Sequence, residues 1–411
     1  MASIKLKHSG GNGVIIAAPT SNPASDKTLT LPSDVDGTVV SKDSSNSLQN
    51  IAGINGGQLG NRNLIINGAM QVAQRGTSST STGYQTVDRF TVLSGGTDET
   101  PTQAQVDLTS SDTPYSYGFR KALKITNGNQ TGGAGANDYI EILQKFEGQD
   151  INTSGWDFTS TSSFITISFW IKSSVAQTFY GGFRITEASA NKQYTFAINA
   201  TTSWQKITKT ISGASGLNPV NTNGVGGWFD LIPFYGTGLT GSMTLDQWNT
   251  VDTSAYVPDM TSTWYTTNDA TLEYTGLQME VGDTATDFEH RSFGQELQLC
   301  KRYYQQYVNI AAVGNVPDNG SRSYSHALMF PVEMRAAPTI TISNTGSSGG
   351  QRVSDADNNV YVSSLLSTGV QPTGATISFY LTGDLTNYRG AYLTNTASTD
   401  YQTTYKIDAE L

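Results

Sequence analysis

Apolar and polar residues alternate with a period of two along most of this chain, and helical spacing appears once. In TSSFITISFWIKSS, Ile165, Ile167, Phe169 and Ile171 alternate with Phe164, Thr166, Ser168 and Trp170. One face is wholly apolar and the other mixed, which suits a strand packed between sheets. The same reasoning predicts strands at 120–126, 139–146, 164–173, 179–186, 193–198 and 204–211, with polar loops at 127–137 and 212–227. Leu277, Met279 and Val281 alternate with Gln278, Glu280 and Gly282 and close this block. Beyond residue 309 the alternation resumes in HALMFPVEMR, PTITISN, NVYVSSLL, GATISFYLTGDL and TTYKI, the spacing of a second, smaller sandwich. No fixed-period repeat occurs, which disfavours a β-helix or propeller.

Between the two blocks lies the one helical pattern. Ser292 with Gln295 three residues later forms a capping-box pair. Phe293, Leu297, Cys300, Tyr304 and Tyr307 then recur at spacings of four, three, four and three, predicting one helix over residues 293–308 whose stripe faces the adjoining sheets. At the other end, residues 1–43 read as short strands (ASIKLKH, GVIIAAP, KTLTLPS, GTVV) separated by Gly, Pro, Asn and Asp. So little chain cannot bury a core unaided. Completion by identical chains or by another protein is therefore expected, and 41–62 follows as a Ser/Asn/Gly-rich linker or an extended, symmetry-packed segment. The expected class is all-β: an N-terminal stranded arm (1–62), a central jelly-roll sandwich (63–292), a connecting helix (293–308) and a C-terminal small sandwich (309–411).

Composition narrows the function. Only 14% of the 411 residues are charged and 42 are Gly, the profile of neutral, turn-rich β surfaces. A net charge of −10, with no basic cluster longer than Lys301-Arg302, argues against nucleic-acid binding. One cysteine, Cys300, excludes an intrachain disulfide framework and is expected to be a small buried residue. No apolar run reaches the ~18 residues of a membrane helix, and no signal peptide opens the chain, so membrane insertion is not expected.

Candidate chemistry is sparse. Gly346-Ser347-Ser348-Gly349-Gly350 fits the spelling of a nucleophile elbow but lies in a Gly/Ser loop without the strand–turn–helix context, in a chain with three histidines. His290 has no paired-His spacing and is expected to hydrogen-bond structurally at a domain junction. Asp355-Ala356-Asp357-Asn358-Asn359 could gather oxygens around calcium, yet these are also turn formers and the terminal Glu of an EF-hand is missing. No catalytic residue, metal ligand or cofactor is therefore assigned. Sugar recognition commonly uses exposed rings, and Trp228, Phe234-Tyr235, Trp248 and Trp264-Tyr265 fall in or near Asn-, Thr- and Asp-rich loops. Trp228, Tyr235, Trp264, Tyr265 and the distal Tyr361 are the glycan candidates, with Tyr392 behind them. Packing between sheets or subunits is the alternative for each ring, and Trp170 and Trp204 are assigned to the core.

Several blocks resemble tail fibre proteins of tailed bacteriophages, notably those of phages infecting marine bacteria. NRNLIINGAMQVAQRGTS (61–78) with YQTVDRF (84–90) resembles the opening of a carbohydrate-binding-module-like jelly roll in such fibres. GLQMEVGDTATDFEHRSFGQELQLCKRYYQ (276–305) resembles its last strand and exit helix, and FPVEMRAAPTITI (330–342) the start of a terminal domain. The opening MASIKLKHSGGNGVIIAAPTSNPASDKTLTLP resembles N-terminal segments of virion proteins. The resemblance implies a non-enzymatic homotrimer in the virion, assembled in the host cytoplasm, docked through residues 1–62 on another virion protein and binding a host surface glycan or receptor. A decoration protein of head or tail without a receptor role is the alternative, and a glycan depolymerase a third reading.

Overall fold

The computed structural model describes residues 61–308, 310–316, 323–343, 351–386, 389–394 and 403–411, together with the short strands of residues 3–7, 13–17, 41–42 and 48–49. The stretches expected as strands at KTLTLPS and GTVV, and the Gly346–Gly350 loop, lie outside the described residues. Residues 1–52 and 53–411 form two compact units. In the first, Ser3–Lys7 pairs antiparallel with Gly13–Ala17, setting Ile4 opposite Ile16 and Leu6 opposite Val14, and Ser41–Lys42 pairs with Leu48–Gln49.

The second unit is all-β. Its first part is a sandwich of two six-stranded antiparallel sheets. In spatial order, one holds Gln205–Ser212, Phe164–Ser173, Thr271–Val281, Lys121–Thr126, Thr102–Asp107 and Ser78–Ser79. The other holds Trp248–Thr250, Lys192–Ala200, Gln177–Ile185, Val225–Tyr235, Tyr139–Glu147 and Thr91–Gly95. The apolar face of Phe164–Ser173 points inward as its alternation requires: Ile165, Ile167, Phe169 and Ile171 join Phe179, Phe183, Ile185, Phe229 and Leu231 in one core. Phe169 meets Phe229 edge-on across the two sheets at 5.8 Å. Complete burial of each such side chain contributes about 1.5–3 kcal/mol.

After the sandwich, a three-stranded sheet (Tyr304–Val308, Thr404–Asp408, Thr339–Ser343) and a closed barrel share a second core that includes Tyr405, Ile407, Ile340, Val353, Ile377 and Phe379. Ala312–Asn315, Ser323–Met329, Gly374–Leu381, Asn359–Gln371, Arg352–Ser354 and Gly390–Thr394 are the barrel's staves. Two register shifts in the 13-residue strand Asn359–Gln371 bend it enough to close the ring.

The helix is shorter than its periodicity predicts. It spans Phe293–Lys301, with the expected capping box between Ser292 and Gln295, and ends at Arg302. Tyr304 and Tyr307 belong instead to the strand Tyr304–Val308, paired with Asp408 and Tyr405. The run YYQQYV is rich in β-forming residues, and its pairing with Thr404–Asp408 outweighs the helical spacing. The buried face also differs. Cys300 is buried, but Phe293 is 55% exposed and its place is taken by Glu296, whose carboxylate accepts the Asn67 N–H and lies 3.6 Å from Arg291.

The two β assemblies are locked by a buried charge network. Arg89 and Arg75 both reach the Glu410 carboxylate, and Arg75 also pairs with Asp408 at 2.9 Å. Each guanidinium lies over a tyrosine ring that follows the helix, Arg89 3.4 Å above Tyr303 and Arg75 3.5 Å above Tyr304. Tyr303 donates to Glu147 at 2.7 Å, and Glu147 also accepts two hydrogen bonds from Arg302. Removing one partner of a buried pair leaves the other charge unsolvated, at a cost of about 3–5 kcal/mol. Glu410→Gln is therefore expected to destabilise the 53–411 unit by about 3 kcal/mol or more, read from urea unfolding of the full chain. A loss below about 0.5 kcal/mol would show that the network is not structural.

Candidate functional site

The rings singled out as glycan candidates do not form one exposed site. Trp264 and Tyr265 are completely buried. The Trp264 indole donates to Thr271 O at 3.1 Å, and Tyr265 stacks on Phe234 at 4.1 Å while its hydroxyl reaches Asp138. Tyr235 is buried on the outer side of the second sheet, its hydroxyl bonded to Glu141. These three are corrected from ligand to packing residues. The sequence signal misled because Val225–Tyr235 carries two glycines and a proline and reads as loop; it is a long strand with a bulge between Leu231 and Phe234. Trp228 is half-buried beside Arg184, which pairs with the buried Asp230 at 2.7 Å. Burial pushes the carboxyls of Asp230 and Glu141 up despite Arg184. Tyr361 is half-buried on the barrel opposite Arg352, and Tyr392 is 49% exposed on a neighbouring strand.

Asp355 caps a tight turn. Burial alone would raise the pKa of its carboxyl, but the N–H groups of Asp357, Asn358 and Thr386 donate to the carboxylate and hold it well below the usual range. Its oxygens are thus already engaged by backbone donors, and the calcium reading finds no support there. Among the described residues no three His, Cys, Asp or Glu side chains come together around a common point. His290 bonds to Tyr117 O at 2.8 Å and packs on Phe119 and Phe288, a structural role at the sandwich surface.

An open aromatic cleft lies on the outer face of the first sheet, where the mixed side of Phe164–Ser173 emerges. Tyr117, Phe119, Trp170, Phe288 and His290 line it with Ser168, Lys206 and Asp287.

 The cleft itself measures 390 Å³. Tyr117, 59% exposed, leans on Trp170 with ring centroids 5.0 Å apart. Lys206 and Asp287 stand on the rim, and neither is ion-paired among the described residues.

Three local features build this cleft. The short 3-10 helix Thr113–Tyr117 ends at Gly118, whose φ of 94° is open to glycine and turns the chain so that Tyr117 projects over the sheet. Opposite it, Ser168 pairs with Gln278 and Trp170 with Thr275, so Gly276 and Leu277 together face one residue in a bulge. Gly276 has φ 66°, and a Cβ there would come within 2.6 Å of the Phe119 ring. The bulge thus seats Phe119, which supports Phe288 at 4.8 Å and His290 at 5.0 Å to make one wall. Beyond the cleft, Trp204 donates to Asp112 and lies 4.9 Å below the Lys172 ammonium. Trp170 and Trp204 therefore belong to this outer cluster, not to the main core. Two signals for it were present in the sequence: the mixed face of Phe164–Ser173, and three aromatics in the Pro/Gly-bounded run TPYSYGF.

Chemically, a ring platform with an unpaired ammonium, an unpaired carboxylate and a serine hydroxyl suits a flat ligand with apolar C–H faces and hydroxylated edges.

No family model and no curated protein matches the chain. Solved structures similar to it include a CBM4 structure at 11% identity and TM-score 0.27, over 52% of this chain and 97% of that one. Another is the family 11 carbohydrate-binding module of the cellulosomal cellulase Lic26A-Cel5E of Clostridium thermocellum, at 11% identity and TM-score 0.26, over 52% and 97%. A third is the enzymatically active domain of bacteriophage CBA120 tailspike protein 4, at 8% identity and TM-score 0.27, over 53% of this chain and 21% of that one. Likeness at this level says nothing about ligand or activity.

Replacing Gly276 by Ala is expected to displace Phe119 and close the cleft wall, costing about 1–3 kcal/mol from strain and overpacking. Thermal unfolding together with a crystal structure of the variant checks this. An unshifted Phe119 ring would contradict the account of the bulge.

Proposed function

We propose that the chain is a non-enzymatic phage tail fibre subunit that binds a host-surface glycan through the cleft of Tyr117 and Trp170. The observation that carries the reading is that cleft: an exposed ring leaning on a second ring, with unpaired charged groups on the rim. The resemblance of residues 61–90 and 276–305 to tail fibres supports the virion assignment. These blocks bond to each other, Asn63 Oδ1 accepting Met279 N–H and Asn67 N–H donating to Glu296. Their role is therefore to build the body that presents the cleft.

In this reading the short strands within residues 1–62 are completed by two further copies of the chain and dock on another virion protein. A two-stranded sheet is marginal by itself in water. Three copies would also convert weak single-site contacts into firm attachment, because the second and third contacts form at high effective concentration.

Tyr117→Ala is expected to weaken binding of the full chain to immobilised bacterial surface polysaccharides by about tenfold, roughly 1.4 kcal/mol per site, with the melting temperature unchanged. Equal binding by the variant and the parent chain would remove the cleft from the mechanism. The same incubations should release no oligosaccharide; chain-shortened product would establish a depolymerase instead. Mass photometry of the full chain is expected to show a trimer, and a stable monomer at nanomolar concentration would sink the proposed arrangement of residues 1–62.

A further inference from the structure

The C-terminal barrel holds a histidine in its interior. His326 is 2% exposed, and among the described residues neither ring nitrogen has a hydrogen-bond partner. Its ring lies between those of Tyr324 and Phe379, each 5.6 Å away and inclined by about 30°. A neutral imidazole tolerates such a place at the cost of its unmet hydrogen bonds, whereas an imidazolium has two N–H donors and a charge to satisfy.

Among the described residues, the side chains that face the ring are uncharged. Its own strand offers Tyr324, whose hydroxyl donates to Ala312 O, and Leu328. The strand Gly374–Leu381 offers Ile377 opposite and Phe379, and Ala312–Asn315 offers Gly314 opposite. Beyond Phe379 stands Tyr405, its hydroxyl bonded to Gln351. Burial alone acts on the imidazole, lowering its pKa to about 4.

His326 also sits on the barrel seam with the fewest register pairs among the described residues. Among the described residues, Ala312–Asn315 and Ser323–Met329 share two register pairs, Gly314 with His326 and Asn315 with Ser325. The same strand Ser323–Met329 shares seven pairs with Gly374–Leu381 on its other side.

We propose that His326 is an acid-sensitive latch: protonation opens the barrel between Ala312–Asn315 and Ser323–Met329, while the first sandwich stays closed. The direction follows from linkage. The unfolded or open form takes up a proton near pH 6.5 and the closed form only near 4, so closure is fully stable above about pH 6.5 and weakens as pH falls through that window.

The test is hydrogen exchange by mass spectrometry on the full chain at pH 7 and pH 4.5, corrected for intrinsic exchange rates. Protection of residues 312–316 and 323–329 is expected to fall roughly 50-fold in the parent chain. It should hold within about threefold in His326→Phe, while Phe164–Ser173 stays protected in both. Unchanged protection in the parent chain, or an equal loss in the variant, overturns the proposal. Should His326→Phe not fold, His326→Leu serves the same comparison. The Cε1–H signals of the three histidines give an independent reading, and a His326 signal titrating between pH 6 and 7 also overturns the latch.

Discussion

The carboxylate of Glu410 is the constraint on which the rest of this structure depends. It is buried between two assemblies that have separate apolar cores, and it is held by Arg75 and Arg89. A carboxylate in that position is tolerable only with its cations in place, and the cations only with it. Arg89 accepts a left-handed backbone, φ 73°, to reach it. The two tyrosines after the helix cover the guanidiniums, so helix, strand and charge network define one geometry. The result is directional: the barrel is held against the sandwich by groups that work in one relative placement.

That rigidity bears on the cleft. Its walls come from the 3-10 turn before Phe119, the bulge at Gly276 and the segment Asp287–His290, all attached to strands of the first sheet. The segment after the bulge leads through Glu289, which accepts the N–H groups of Asn61 and Asn63, into the capped helix and so to the junction. Cleft and junction thus share one stretch of chain.

Much of the architecture was legible in the alternation. The strand at 164–173 and the capping box at Ser292 appear as read, because each depends on local pattern and nearby partners. What could not be read depends on residues far apart in the chain. Tyr304 and Tyr307 fit the helical stripe until Thr404–Asp408, a hundred residues later, supplies a strand to pair with. Trp264 and Tyr265 look like loop rings until Phe179 and Phe234 close over them. Tyr117 and Trp170 meet only through the sheet, and in the sequence alone the strand of Trp170 reads as core. For the same reason nothing in the sequence singles out Glu410, whose partners lie more than three hundred positions earlier.

That separation has a kinetic consequence. Arg89 is 321 positions from Glu410, so the ring of chain they close is among the longest the molecule can form. Contacts of such high order form late, after the entropy of loop closure has been met. During synthesis the sandwich can assemble well before residues 408–411 emerge, but Arg75 and Arg89 must wait, exposed to solvent and to other chains. Pairing of Glu410 with Arg75 and Arg89 is thus a closure of very long range, of the kind that forms late.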